Sequence, residues 1–271
     1  MDGANRLLRV LVVTGGHPFQ PEPFFAAFSA DPGLLWAHAP HPGAQRWLAN
    51  VEPGDWDAIV FYDMPGVGLR RDGTPTPESP PAEVVAGMER LLEAGQGVVF
   101  LHHAIASWPA WDEYAHWVGG RFLYQPGRLG NCEWPDSGYA FDVTHHLRPE
   151  APDHPVLAGL EAGLTLTDEL YLAPVLEEEV IPLLRSDADF SDDHFWSSAA
   201  AVAGRRDSRE GWSHPTGSNL AAWVKTARRS PVVYIQPGDG PSAYGDPGWR
   251  RLIGNAIRWV ASDEARAWAR S

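Results

Sequence analysis

The sequence predicts an α/β protein: a three-layer α/β/α sandwich on a mostly parallel central sheet. Two observations carry this. Short apolar runs at 7–13, 58–62, 98–101 and 232–235 are continuous rather than alternating, as expected of strands covered on both faces. Helical repeats lie between them, and strand–helix alternation of this kind builds parallel sheets.

Each element has its own signal. The run at 7–13 ends at Thr14-Gly15-Gly16, that at 58–62 at Asp63, that at 98–101 at His102-His103, and that at 232–235 at Gln236-Pro237-Gly238. Val84, Val85, Met88, Leu91 and Leu92 follow helical spacing, and Gly95 stops the helix. Near the end Asp246 is a cap, Pro247 takes the first helical position, and Leu252, Ile253, Ala256, Ile257 and Val260 form the apolar stripe. Between 139 and 187 the pattern changes. Runs at 139–143, 164–166 and 180–184 read as extra strands, some antiparallel, inserted into the same domain. Residues 65–81, rich in Pro, Gly and Thr, and the polar stretch 187–219 read as loops. The whole chain, 1–271, is therefore expected to be one domain.

Composition narrows the function. The net charge of −14 argues against nucleic acid and anionic membrane as partners. Cys132 is the one cysteine, which rules out an internal disulfide and any CxxC motif. No run approaches the roughly 18 apolar residues that span a bilayer. The start, Met1-Asp2-Gly3-Ala4-Asn5, lacks a basic signal-peptide region, so a cytoplasmic protein is expected. Thirteen tryptophans and eleven histidines are many for this length and direct attention to aromatic walls and imidazole chemistry.

Ligands of open α/β sheets bind beyond the carboxyl ends of the strands. Four predicted strands place His17, Asp63, His102-His103 and Asp239 at that edge. A polar residue after a strand is ordinary by itself; the convergence is the signal. The turn at His102-His103 sits where hydrolase folds put a nucleophile, but no Ser, Cys or Thr occupies it. Its imidazole suits acid–base work or metal binding. Adjacent side chains diverge, so one of the two rings is expected to face the site. A helix carrying Trp108, Trp111, Tyr114 and Trp117 is expected next; its stripe suits core packing, with Trp108 the best candidate for a sugar-stacking wall. Thr167-Asp168-Glu169-Leu170-Tyr171 offers adjacent carboxylates beside a phenol, fit for acid–base work or metal binding, or else simply a solvated strand end. His38, His41 and His116 have no companion feature and read as structural or exposed. No P-loop, dinucleotide fingerprint or HExxH is present.

Several segments together resemble the ThuA-like family, named for trehalose utilization. They are Val10-Leu11-Val12-Val13-Thr14-Gly15-Gly16-His17, Phe100-Leu101-His102-His103-Ala104, Val118-Gly119-Gly120-Arg121-Phe122, Asp153-His154-Pro155 with Gly159-Leu160, Thr167-Asp168-Glu169-Leu170-Tyr171 and Asn255-Ala256-Ile257-Arg258-Trp259. They run in order over a core of about 8–262. The resemblance implies a flavodoxin-like fold similar to class I glutamine amidotransferases. It also implies work on disaccharides or other glycosides, including 3-keto sugars made by a partner sugar dehydrogenase. In that superfamily a Cys holds the elbow; here a His does, and Cys132 is far away in sequence, so glutaminase activity is not expected. Family members often carry Gly-His after the last central strand; Gly238-Asp239-Gly240 stands here and makes Asp239 the substitute.

The first expectation is a sugar-active hydrolase or lyase with His102, Glu169 and Asp168 catalytic, and His17, His103, Trp108, Asp63, Tyr171 and Asp239 binding substrate. The second is a metal-dependent version, with a divalent ion such as Zn²⁺ on imidazoles and carboxylates. The third is a non-catalytic sugar-binding module. The partner is a small sugar, and a homo-oligomer is left open.

Overall fold

The computed structural model describes residues 6–69 and 75–271. In chain order its first part is β1 (Leu8–Gly15), α1 (Pro21–Ser29), β2 (Leu34–Pro40), α2 (Gly43–Asn50), β3 (Ala58–Asp63), the short pair β4 (Val67–Leu69) and β5 (Pro75–Pro77), α3 (Ala82–Ala94) and β6 (Gly97–Leu101). A 3₁₀ turn, His102–Ala106, leads to α4 (Asp112–Val118), the hairpin β7 (Gly127–Leu129) and β8 (Cys132–Trp134), then β9 (Gly138–Pro149), β10 (Leu164–Leu172), β11 (Ile181–Ser186), β12 (Trp196–Ser197) and α5 (Ser198–Val202). The chain closes with β13 (Leu220–Ala227), β14 (Ser230–Ile235), α6 (Pro241–Gly245), α7 (Pro247–Val260) and α8 (Asp263–Trp268).

One sheet organises the molecule, in the order β10-β9-β11-β13-β14-β6-β3-β1-β2, with β12 added on β9. The strands β2, β1, β3, β6 and β14 are mutually parallel. Counted among themselves their order is 2-1-3-4-5, that of flavodoxin-like sheets. The other strands form an antiparallel arm. The extra strands expected within 139–187 are present, and the arm extends beyond them to β13.

The parallel strands alternate between two buried cores. Val10, Val12, Val60 and Val99 face Phe24 and Phe28 of α1 and Leu252, Ile257 and Val260 of α7. Leu11, Val13, Ile59, Phe61, Val98 and Phe100 face Leu48 of α2, Val84, Met88 and Leu91 of α3 and Tyr114 of α4. These are the three layers. Gly95 ends α3 in the left-handed conformation, and the Asp246 side chain caps α7 by accepting from the backbone N–H groups of Gly248 and Trp249.

Three sequence expectations change. The helix foreseen from Trp108 onward begins only at Asp112, because Trp108 itself adopts φ +48° and breaks the run. The polar stretch 187–219 is not all loop: it holds β12 and α5. In the loop at 65–81, β4 and β5 pair antiparallel around residues 70–74, which, like the leader reading at 1–5, lie outside the described residues. No described helix is long and apolar enough to cross a membrane.

Candidate functional site

The site begins with the backbone at the end of β6. His102 follows Leu101 directly and takes φ +38°, a left-handed conformation that costs a non-glycine residue about 1–3 kcal/mol. The chain then tightens into the 3₁₀ turn. The two rings therefore do not diverge as expected: their centroids are 4.6 Å apart, and both Nε2 atoms approach Asp239 Oδ1, at 3.7 Å from His102 and 3.8 Å from His103. Asp239 reaches them from the loop after β14, where Gly238 turns with φ +134°. A Cβ at Gly238 would lie 2.8 Å from the Trp249 ring, so no other residue fits that turn without a shift.

The carboxylates come from the arm. In a flat sheet, five strand spacings of about 4.8 Å would hold β10 some 24 Å from β6. Instead Glu169 Oε2 is 2.9 Å from His102 Nε2 and the Tyr171 hydroxyl is 3.3 Å from His103 Nδ1. The arm is thus curled over the carboxyl ends of the parallel strands. Between Asp168 and Leu170 the β10–β9 register slips by one, so that Phe141 and Asp142 of β9 oppose Glu169 alone, with Asp142 at φ +55°. Such a bulge re-aims side chains locally, and here it lies opposite the carboxylate that reaches His102.

Asp168 and Glu169 do different work. Asp168 accepts backbone N–H groups with both oxygens, from Gly238 at 2.5 Å and Asp239 at 3.1 Å. It fixes the turn that carries Asp239. Glu169 lines a cleft of about 150 Å³ together with His17, Tyr171, Phe122, Tyr124, Tyr139, Phe141 and Arg206. His102, wholly buried, stands behind it.

Hydrogen bonding orients the imidazoles. His102 Nδ1 lies 2.5 Å from the carbonyl of Gln236, which can only accept, so Nδ1 carries a proton and Nε2 is directed at Glu169. Burial alone would lower the His102 pKa, but the bond to Glu169 and the charges of Glu169, Asp239 and Asp168 raise it to about 9. Burial raises the Glu169 carboxyl against the pull of His102. Both shifts retain a proton on the pair at neutral pH. Burial and the neighbouring His102 and His17 push His103 well below the usual imidazole range, so it is neutral. Its ring is stacked on Tyr62, 4.8 Å between centroids, and meets His17 edge-on at 4.1 Å.

The fold brings together His17, His102, His103, Asp168, Glu169, Tyr171 and Asp239. Asp63 and Trp108 stand apart from the cleft. Asp63 is buried and bonded to His41 Nε2 at 2.7 Å, and its carbonyl accepts from Ser107. Trp108 is buried against Gly66 and the edge of His41 rather than forming a sugar wall. His41, read as structural or exposed, is thus the buried partner of Asp63. The aromatic walls are Phe122, Tyr124, Tyr139 and Phe141; of these the sequence motifs had pointed only to Phe122. Arg206 at the mouth had no signal beyond a polar loop.

The family model described as trehalose utilisation matches residues 47–260. The chain belongs to the ThuA family. No functionally curated protein matches it significantly. Among solved structures, a putative ThuA-like protein from Parabacteroides merdae superposes with a TM-score of 0.66 at 13% identity, covering 95% of this chain and 91% of its own. One from Bacteroides uniformis gives 0.58 at 17% identity, covering 94% and 92%. A Salmonella typhimurium protein described as cytoplasmic gives 0.55 at 9% identity, covering 93% and 99%. At these identities the likeness is one of fold. With the 2-1-3-4-5 strand order it fits a flavodoxin-like architecture.

Proposed function

We propose that this ThuA-family protein is a hydrolase or lyase acting on a glycoside, in particular on its 3-keto form, by proton transfer through Glu169. The observation that carries the reading is the placement of Glu169: a cleft-lining carboxylate bonded at 2.9 Å to a histidine at the strand-end turn. A ketone at C3 of a sugar acidifies the C2–H bond. Glu169 as carboxylate takes that proton while the C1–O bond to the aglycone breaks, leaving a C1–C2 double bond conjugated with the ketone. The proton passes from Glu169 to the departing oxygen, so the aglycone leaves as an alcohol, and addition of water across the double bond returns the free 3-keto sugar. His102 acts through Glu169 as its positioning residue, which departs from the direct role expected of it. Phe122, Tyr124, Tyr139 and Phe141 provide flat faces for the ring and aglycone. The family description, trehalose utilisation, supports a disaccharide.

Glutaminase chemistry is not part of the reading, because the elbow residue is His102 and Cys132 is exposed on β8. The reading puts the protein in the cytoplasm beside a sugar dehydrogenase that supplies the ketone. The test is a time course with paired glycosides and 3-keto-glycosides, disaccharides first. Release of aglycone from the keto form, lost in Glu169→Gln, is expected. No turnover of any pair by the wild type would reject the reading.

A further inference from the structure

His103 is 1% exposed, yet its Nε2 has no hydrogen-bond partner among the described residues. A buried, neutral imidazole nitrogen left unpaired is costly unless something fills the place in front of it. What it meets, at 3.8 Å, is Asp239 Oδ1, and the same oxygen is 3.7 Å from His102 Nε2. These separations are too long for hydrogen bonds and suit atoms held around a common centre.

We propose that His102 Nε2, His103 Nε2 and the Asp239 carboxylate form a divalent-metal site, with zinc the best match. One ligand atom from each of His102, His103 and Asp239 lies within 4.8 Å of the other two. Around a tetrahedral zinc with bonds near 2.1 Å, neighbouring ligand atoms sit about 3.4 Å apart. The distances to Asp239 exceed that by a few tenths of an ångström, which its partly exposed side chain can supply, and the two rings, within the 4.8 Å span of the set, close on the ion as it binds. Two imidazoles and one carboxylate are also a donor set of the right softness for zinc.

The supporting groups are those a metal site needs. His102 Nδ1 donates to the Gln236 carbonyl, which directs Nε2 inward. His103 Nδ1 faces the Tyr171 hydroxyl. Asp239 is pinned through its backbone: its N–H donates to Asp168, and its carbonyl accepts from Tyr244 at 2.5 Å, with the Tyr62 hydroxyl 2.6 Å from that of Tyr244. Three protein ligands leave a fourth position open, as in catalytic rather than structural zinc sites. Glu169 adjoins it, because Oε2 already contacts His102 Nε2. With a cation bound, His102 Nε2 would serve as its ligand, so the 2.9 Å bond to Glu169 belongs to the metal-free state and Glu169 would stand beside the ion. The site stands on its own geometry and needs no particular sugar.

The test uses the full-length protein, stripped with chelator and titrated with zinc chloride by calorimetry, with elemental analysis after gel filtration. One equivalent is expected to be retained and to raise Tm by roughly 5 °C or more. Cobalt(II) in its place is expected to give the intense visible bands of a four-coordinate ion. Asp239→Ala, which alters a partly exposed side chain, and His103→Ala are each expected to weaken zinc binding at least about tenfold; circular dichroism checks that they fold. No retained zinc in the wild type overturns the site, as does unchanged binding in both folded variants. Activity separates this from the functional reading. Turnover of 3-keto-glycosides by protein that binds no metal sinks the site alone. One equivalent of zinc with no turnover on any glycoside pair sinks the sugar chemistry alone.

Discussion

The parallel strands and the antiparallel arm supply the site in different ways. The parallel strands deliver His17, His102, His103 and Asp239 from loops just past their carboxyl ends, where the flavodoxin-like arrangement presents polar groups in any case. The arm delivers Asp168, Glu169 and Tyr171 from within a strand, and the register slip opposite Glu169 marks where its regular pairing breaks. Generic topology thus gathers the imidazoles, whereas the carboxylates depend on one irregular strand pair and on the curl of the arm.

That contrast can be broken by experiment, beginning with the largest effect. Glu169→Gln keeps the shape and removes the cleft-facing carboxylate, and is expected to lower turnover at least about a hundredfold with the fold intact. Near-normal kinetics would return the chemistry to the parallel half. Asp168→Ala strips the acceptors from two backbone N–H groups in the Asp239 turn. A loss of about 1–3 kcal/mol in urea unfolding is expected, together with weaker binding of whatever Asp239 contacts. If only stability falls, the arm does not position that turn. Tyr244→Phe, within the parallel half, removes one hydrogen bond to the Asp239 carbonyl and should cost about 1 kcal/mol by the same measurement.

The smallest effect is a difference in acid sensitivity. His145 in β9 is buried against Ser186, and burial lowers its pKa from 6.5 to about 4. The unfolded chain then binds the extra proton first, so this contribution is complete above about pH 6.5 and is lost as the pH falls toward 4. Partial burial alone would raise the pKa of Asp57, before β3, but bonds from Arg6 and Arg9 prevail and hold it near 2. Its contribution is complete above about pH 4 and lost only as the pH falls toward 2. Hydrogen exchange at stepped pH should therefore show the arm loosening first. Simultaneous loosening of both regions would contradict the assignment, and His145→Gln should remove the early step.

The same contrast explains what could be read from the chain. Strands β1, β3, β6 and β14 announce themselves because burial on both faces demands unbroken apolar runs. β2 and β13 do not: Leu34–Pro40 carries a His and a Pro at a half-exposed sheet edge, and Leu220–Ala227 mixes small residues with a buried lysine. His102 and Glu169 could each be singled out, by a strand-end position and by paired carboxylates. That they touch could not, since the curl of the arm leaves no periodic trace. The sharing of Asp239 by both imidazoles, and the withdrawal of Trp108, turn on positive φ angles at His102 and Trp108, which neither residue type favours.

The closure of the site is also a matter of timing. His102 and Glu169 are separated by 67 residues and Tyr62 from Asp239 by 177. Loop-closure entropy makes such distant pairings late events in folding. A ribosome that has finished β6 has made the imidazole turn but neither Glu169 nor the loop that carries Asp239. A growing chain therefore lacks the Glu169 carboxylate until β10 is made and the Asp239 turn until the last central strand, β14, is complete.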